Sequence, residues 1–240
     1  MDPRVAIIEH RLDGIKRIIA VASGKGGVGK SVTASLLALI LAKRGYHVGL
    51  LDLDLYGPSS HIILGIDVDE YPSEDKGIIP PERHGIRFMS IVYYSKEHPT
   101  PLRGEDVTNA IIEVLAITRW GNLDFLIIDM PPGIGDETLD IIRLIKKSEF
   151  LVVTTPSKVA LQTVVKLVKL LKELNVPIIG VIENMKFDDS AYVKDTVSEL
   201  GVKYLGYVPF DKSFEDAVGS AEKLMKTDVA KKLSELVGNL

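Results

Sequence analysis

The chain has 240 residues, 46% hydrophobic and 26% charged, with a formal net charge of -4. That length and composition suit one α/β domain with a substantial core, and the slight acidic excess gives no global attraction to nucleic acid. With no cysteine in the sequence, disulfides, thiol catalysis and any cysteine-held zinc or iron–sulfur site are excluded on this chain.

Residues 1–16 read as an amphipathic helical extension, with Val5, Ile8, Leu12 and Ile15 near one face. A strand at 17–22 leads into a glycine-rich loop, and a helix follows, closed by Gly45. Residues 47–52 form a second apolar strand, and 53–64 a loop holding Asp54, Tyr56, Gly57, Pro58 and Ser59. Pro72, Pro80, Pro81, Pro99 and Pro101 break up residues 65–104, where only 86–91 reads as a strand. Helices are expected at 105–118, 136–147, 158–174, 189–200 and 226–237. Strands are expected at 125–129, 150–155, 178–182 and 204–208. In the helix at 158–174, Val164, Leu167, Val168 and Leu171 face inward, and Lys166, Lys169 and Lys172 form a solvated face. Strands alternating with helices, several of them unbroken apolar runs, indicate a mostly parallel β-sheet covered by helices on both faces. No linker or repeat divides the chain, so 1–240 is expected to be a single domain.

The apolar runs are too short to span a bilayer. The start Met1-Asp2-Pro3-Arg4 carries an early acid and no apolar signal segment follows it. A cytoplasmic protein is expected, with neither a membrane nor a nucleic acid as partner. Gln162 is the sole glutamine. Scarcity of Cys and Gln points toward a thermophilic source, with chance as the alternative.

The loop carries the chemistry. Ser23-Gly24-Lys25-Gly26-Gly27-Val28-Gly29-Lys30-Ser31 matches the phosphate loop G-x-x-x-x-G-K-[ST], with Gly24, Gly29, Lys30 and Ser31 at the fixed positions. The glycines let the backbone curl until successive N–H groups face one anion. Lys30 is expected to reach the β- and γ-phosphates of a nucleotide and Ser31 to ligate Mg²⁺. Val32 continues the nucleotide-binding stretch into the helix, whose N-terminus favours phosphate.

Hydrolysis also needs an acid near Mg²⁺ and a group for the attacking water. Asp129 ends an apolar strand, so its carboxylate emerges at the carboxyl edge of the sheet as a Walker B acid and metal ligand. The plain alternative is an aspartate capping a turn. Gly133, in Pro131-Pro132-Gly133, can offer its N–H to a γ-phosphate. Asp52 and Asp54, two apart at the end of the second strand, can point the same way. Asp54 is the preferred residue for orienting the water and Asp52 the one holding a metal-bound water; an acidic turn is the alternative. The histidines, His10, His47, His61, His84 and His98, show no ligand spacing.

With the second lysine, Lys25, the loop resembles the deviant Walker A loop of the ParA, MinD, nitrogenase iron protein and Mrp class. Further stretches bring the resemblance to the Mrp-type iron–sulfur-assembly P-loop ATPases: Leu51-Asp52-Leu53-Asp54-Leu55-Tyr56-Gly57-Pro58-Ser59, Arg103-Gly104, Ile128-Asp129-Met130-Pro131-Pro132-Gly133-Ile134-Gly135-Asp136, Gly180-Val181-Ile182-Glu183-Asn184-Met185 and Pro209-Phe210-Asp211. The resemblance implies a slow, Mg²⁺-dependent ATPase, a nucleotide switch. It also implies a homodimer with ATP at the interface, Lys25 and Lys30 on the phosphates with Lys25 acting across to the partner's nucleotide, Asn184 on the adenine, and Pro209, Phe210 and Asp211 near the base. The sequence departs from the family at Lys186-Phe187-Asp188-Asp189-Ser190-Ala191-Tyr192, where its cluster-carrying members place a C-x-x-C. No iron–sulfur cluster is therefore expected on this chain, and a cysteine-bearing iron–sulfur partner is the expected means of any role in cluster assembly. The alternatives are a MinD/ParA-like positioning or regulatory ATPase and a non-hydrolysing nucleotide-bound adaptor.

Overall fold

An unbroken apolar strand has no polar face to show to water, so it is stable only with neighbours on both edges and helices on both faces. The computed structural model, which describes residues 2–69, 71–95, 104–238 and 240, has that arrangement. In chain order the helices are α1 (Arg4–Leu12), α2 (Lys30–Lys43), α3 (Ser60–Leu64), α4 (Val92–Ser95), α5 (Glu105–Ile117), α6 (Asp136–Leu144), α7 (Lys158–Glu173), α8 (Tyr192–Glu199), α9 (Ala221–Leu224) and α10 (Asp228–Leu236), with a 3₁₀ turn at Lys212–Ala217. The strands are β1 (Ile15–Ser23), β2 (Val48–Asp52), β3 (Ser73–Glu74), β4 (Ile78–Ile79), β5 (Glu82–Arg83), β6 (Ile86–Ser90), β7 (Leu123–Asp129), β8 (Ser148–Thr154), β9 (Ile178–Lys186) and β10 (Tyr204–Pro209).

One sheet runs in the order β10-β9-β8-β1-β7-β2-β6-β5. Its pairings are parallel except for β5 on β6. β1 is central, and the chain departs from it to both sides. Such a switch point opens a crevice at the carboxyl ends of the strands. The register makes those ends level, since Val21 lies beside Asp129 and Asp129 beside Asp52. Helix α2 crosses β1, β2, β6 and β7. Ala34, Leu36, Leu37 and Ala38 in it are fully buried, as an apolar helix inside an α/β fold must be. Helices α1, α5 and α6 pack together, with Ile8 and Leu12 of α1 buried.

Several boundaries differ from the expected ones, and pairing explains them. β1 starts at Ile15 rather than 17 because Ile15 pairs with Leu123. The extension therefore closes at Leu12. β8 starts at Ser148, which pairs with Ile18, so α6 ends at Leu144. β9 runs on to Lys186, held by Pro209 of β10, and carries Asn184 within the sheet. The expected loop at 53–64 contains α3, and 65–95 contains three two-residue strands that only cross-strand pairing stabilises. Lys166, Lys169 and Lys172 are exposed. The expectations placed on His98, Pro99, Pro101 and Arg103 lie outside the described residues. Among the described residues no helix is long and apolar enough to cross a membrane.

Leu37→Ala removes a fully buried side chain between α2 and the sheet. It should lower unfolding free energy by about 2–5 kcal/mol, read as a shifted urea midpoint with an unchanged slope.

Candidate functional site

β1 delivers the chain to the crevice, and the loop turns it into α2. Gly27 and Gly29 have φ of 76° and 82°, a left-handed conformation that a side chain would strain. Gly29 is doubly constrained: a Cβ there would lie 2.1 Å from Asn184 Nδ2, which donates to Val28 O at 2.9 Å. Gly24 packs against α7, where a Cβ would meet Thr163 Oγ1 at 2.3 Å. Gly29 caps α2 without a side chain, and no acid occupies the first turn. The first N–H groups of the helix and their positive end are thus left for an anion.

Lys30 and Asp129 are almost wholly buried, and Lys30 Nζ stands 2.5 Å from Asp129 Oδ1, 3.3 Å from Ser31 Oγ and 3.9 Å from Asp54 Oδ2. Asp129 Oδ2 accepts from Ser60 Oγ at 3.3 Å. Asp52 is buried behind this group, and its oxygens accept from the backbone N–H groups of Asp54, Ser59 and Ser60 at 3.0–3.1 Å. Burial, then the neighbouring Asp129 charge, pushes the Asp52 carboxyl up to about 7, against the pull of those N–H donors and of Lys30. Burial likewise raises Asp129, and Lys30 opposes it. With buried carboxylates outnumbering the one lysine, added positive charge stabilises the site.

A cavity of about 290 Å³ opens over the loop, lined by Lys25, Gly26, Gly27, Gly29, Lys30, Ser31, Val32, Asp54 and Pro132. A second, of about 220 Å³, is lined by Val32, Asn184, Met185, Pro209, Phe210 and Asp211. Val32 lines both, so the polar and the apolar cavity adjoin. Asn184, anticipated only through family resemblance, is brought to the site by β9. Phe210 is 53% exposed and Asp211 caps the 3₁₀ turn through Ser213 N. Asp52 and Asp54 do not face the same space. Asp54 lines the larger cavity, while Asp52 is consumed in holding the loop after β2, because the strand ends at Asp52 and strict alternation ends with it. Gly133 N donates to Ser23 O at 3.1 Å, so this donor is engaged by the loop itself. Lys25 is half-buried at the rim, with no ion pair among the described residues.

The oxygens of Ser31, Asp129 and Asp54 gathered around Lys30 are hard donors that fit Mg²⁺. Among the described residues no trio of His, Cys, Asp or Glu is arranged to hold a metal. That accords with Mg²⁺, which uses few protein ligands and completes its shell with phosphate oxygens and waters. Reading the sequence alone missed Ser60 and Thr163. Ser60 couples Asp52 to Asp129, and Thr163 walls the loop; neither stands in a motif, and only the packing of α3 and α7 brings them in.

Comparison with known proteins places this geometry. A family model, ParA, described as NUBPL iron-transfer P-loop NTPase, matches residues 14–240. An iron–sulfur cluster carrier protein of Aquifex aeolicus is 39% identical over 90% of this chain and 63% of its own length. One from Pyrococcus horikoshii is 38% identical over 90% of this chain and 81% of its own length. The chain spans about 60% of the length of several such relatives. A nucleotide-binding protein from Archaeoglobus fulgidus, solved with ADP, superposes with a TM-score of 0.77 at 29% identity, covering 95% of this chain and 93% of that one. MinD of Pyrococcus horikoshii, solved with Mg-ADP, shares the fold at a TM-score of 0.68 and 22% identity, over 92% of this chain and 93% of that one. The level ends of β1, β7 and β2, the loop between them and these matches agree: the chain belongs to the ParA/NUBPL family of iron-transfer P-loop NTPases.

Proposed function

We propose that this chain binds Mg-ATP and hydrolyses it slowly, as a nucleotide switch serving iron–sulfur cluster transfer in the cytoplasm. The observation that carries the reading is Lys30, buried at the head of α2 between Asp129, Ser31 and Asp54, below a polar cavity that adjoins an apolar one. The loop N–H groups and Lys30 take the β- and γ-phosphates, and arriving phosphate oxygens replace Asp129 as the partner of Lys30. Asn184, Pro209, Phe210 and Asp211 take the base. Ser31 and Asp129 would hold Mg²⁺, with Asp52 behind them, and the ion would neutralise charge on the phosphate oxygens. Asp54 orients the water that attacks the γ-phosphorus as the bond to the bridging oxygen breaks. Gly133 exchanges Ser23 O for a phosphate oxygen, which links the segment after β7 to nucleotide state. Residues 1–240 act as one ATPase domain, with α1 as an extension of it.

Relatives named as iron–sulfur cluster carriers support the cluster role. This chain has no cysteine, so the cargo is held by thiolates of a partner, and ATP controls the association. Lys25 acts on the nucleotide of a second copy, because Lys30 already supplies the cation of its own loop.

Lys30→Ala should weaken ATP binding by at least about tenfold, because it removes a charge-assisted hydrogen bond to phosphate. Calorimetry checks this, and unchanged affinity would sink the phosphate-loop reading. Asp54→Ala should keep ATP binding and lower kcat by roughly 10²-fold or more; near-normal turnover would move the water-orienting role elsewhere. Light scattering of Asp54→Ala should show a monomer without nucleotide and a dimer with Mg-ATP. Adding Lys25→Ala should abolish that dimer, and a monomer under both conditions would refute the role of Lys25 across the interface.

A further inference from the structure

A cavity larger than either of those at the phosphate loop lies along the β5–β6 edge of the sheet. It measures about 810 Å³, within the range of small-molecule sites. None of its lining residues belongs to the nucleotide site. Arg83, Arg87 and Arg119 line it together with Tyr93 and Trp120, and Ile79 and Pro80 give it an apolar surface.

Two of the three arginines are left without an acidic partner among the described residues. Arg119 pairs with Asp75 at 2.6 Å. Arg87 Nη1 donates to Trp120 O, and Arg83 Nη1 to Glu82 O at 3.0 Å. Neither Arg83 nor Arg87 has a carboxylate partner among the described residues. A guanidinium carries five N–H donors in a planar fork, so most of theirs remain to be used. Asp67 and Glu82 also line the cavity, but Asp67 accepts from Asp69 N and Glu82 lies on an exposed strand.

Two further donors stand in its wall. Tyr93 and Trp120 are 1% and 0% exposed, and neither Tyr93 Oη nor Trp120 Nε1 has a hydrogen-bond partner among the described residues. A buried donor left unmade is destabilising. Nothing in the nucleotide chemistry explains retaining two of them beside two guanidinium groups that no carboxylate pairs with. Burial pushes the Tyr93 phenol up to about 12, with Arg83 opposing and the Asp67 charge adding to the rise, so the hydroxyl keeps its proton and stays a donor. An acceptor-rich group in the cavity answers all of these at once. It takes the arginine forks, beside a wall in which Tyr93 Oη and Trp120 Nε1 are left without partners.

We infer that this cavity is a second ligand site, for a small organic anion carrying a carboxylate or phosphoryl group. Its chemistry is independent of the phosphate loop: the anion is held by Arg83 and Arg87, and its body lies against the apolar wall that Ile79 lines.

Trp120 is the only tryptophan, so its emission reports the cavity directly. The probes are citrate, phenyl phosphate and inorganic phosphate, each titrated into the full chain. At least one should give a saturable change in emission; citrate alone identifies a carboxylate, and either phosphate a phosphoryl group. Arg83→Ala, at an exposed position, and Arg87→Lys, which keeps charge but loses the fork, should each raise the dissociation constant about tenfold or more. Lys30→Ala should leave the titration unchanged. Should Arg87→Lys melt early, Arg83→Ala decides. Absence of a saturable response to all three probes would overturn the inference. So would a titration indifferent to Arg83→Ala, or one abolished by Lys30→Ala.

Discussion

Lys30 reaches Asp129 because three parallel strands end level. The register that sets Val21 beside Asp129 and Asp129 beside Asp52 brings the end of β1, a buried carboxylate from β7 and another from β2 to one place. Parallel hydrogen bonding fixes that register, and a slip of one residue would turn every side chain to the other face. The loop then needs only to turn back over the strand ends for Lys30 to enter the group. Everything described at the site depends on this alignment, including the cavity above it and the loop after β2 that folds over Asp52.

The site is electrostatically unfinished. Asp52 and Asp129 are buried beside a single lysine, and burial raises both carboxyls. Positive charge brought to the site would offset this, and an anion at the loop would compete with Asp129 for Lys30. Binding there would rearrange pairs that already exist rather than fill an inert hollow. Ser60 ties Asp52 and Asp129 together, and Gly133 ties the segment after β7 to Ser23. These hydrogen bonds tie both segments that flank the crevice to the buried carboxylates and the loop.

Much of this was legible in the residues. The loop Gly24 to Ser31 carries its own chemistry, because the residue types and spacing that cradle phosphate are local in sequence. The alternation of apolar runs with helical segments is likewise local, and it implies a parallel sheet with covered faces. Asp129 was legible as a strand-end acid. Asn184 was legible only through family resemblance, since an asparagine near a strand end has no signature of its own. The two-residue strands β3, β4 and β5 were not legible, because so few residues have no period to read.

What tertiary structure alone decided is where the chain meets itself. Asp52 and Asp54 look equivalent in sequence, two residues apart. The end of β2 separates them, sending Asp54 to the cavity and Asp52 into the backbone donors of Asp54, Ser59 and Ser60. Ser60, Thr163 and Arg87 belong to no motif, and each meets a group far along the chain: Ser60 meets Asp129, Thr163 meets Gly24, and Arg87 meets Trp120. Residue type and spacing determine chemistry within one turn or strand. Which distant groups share a buried space follows from strand order and register, and these emerge only when the whole sheet is assembled.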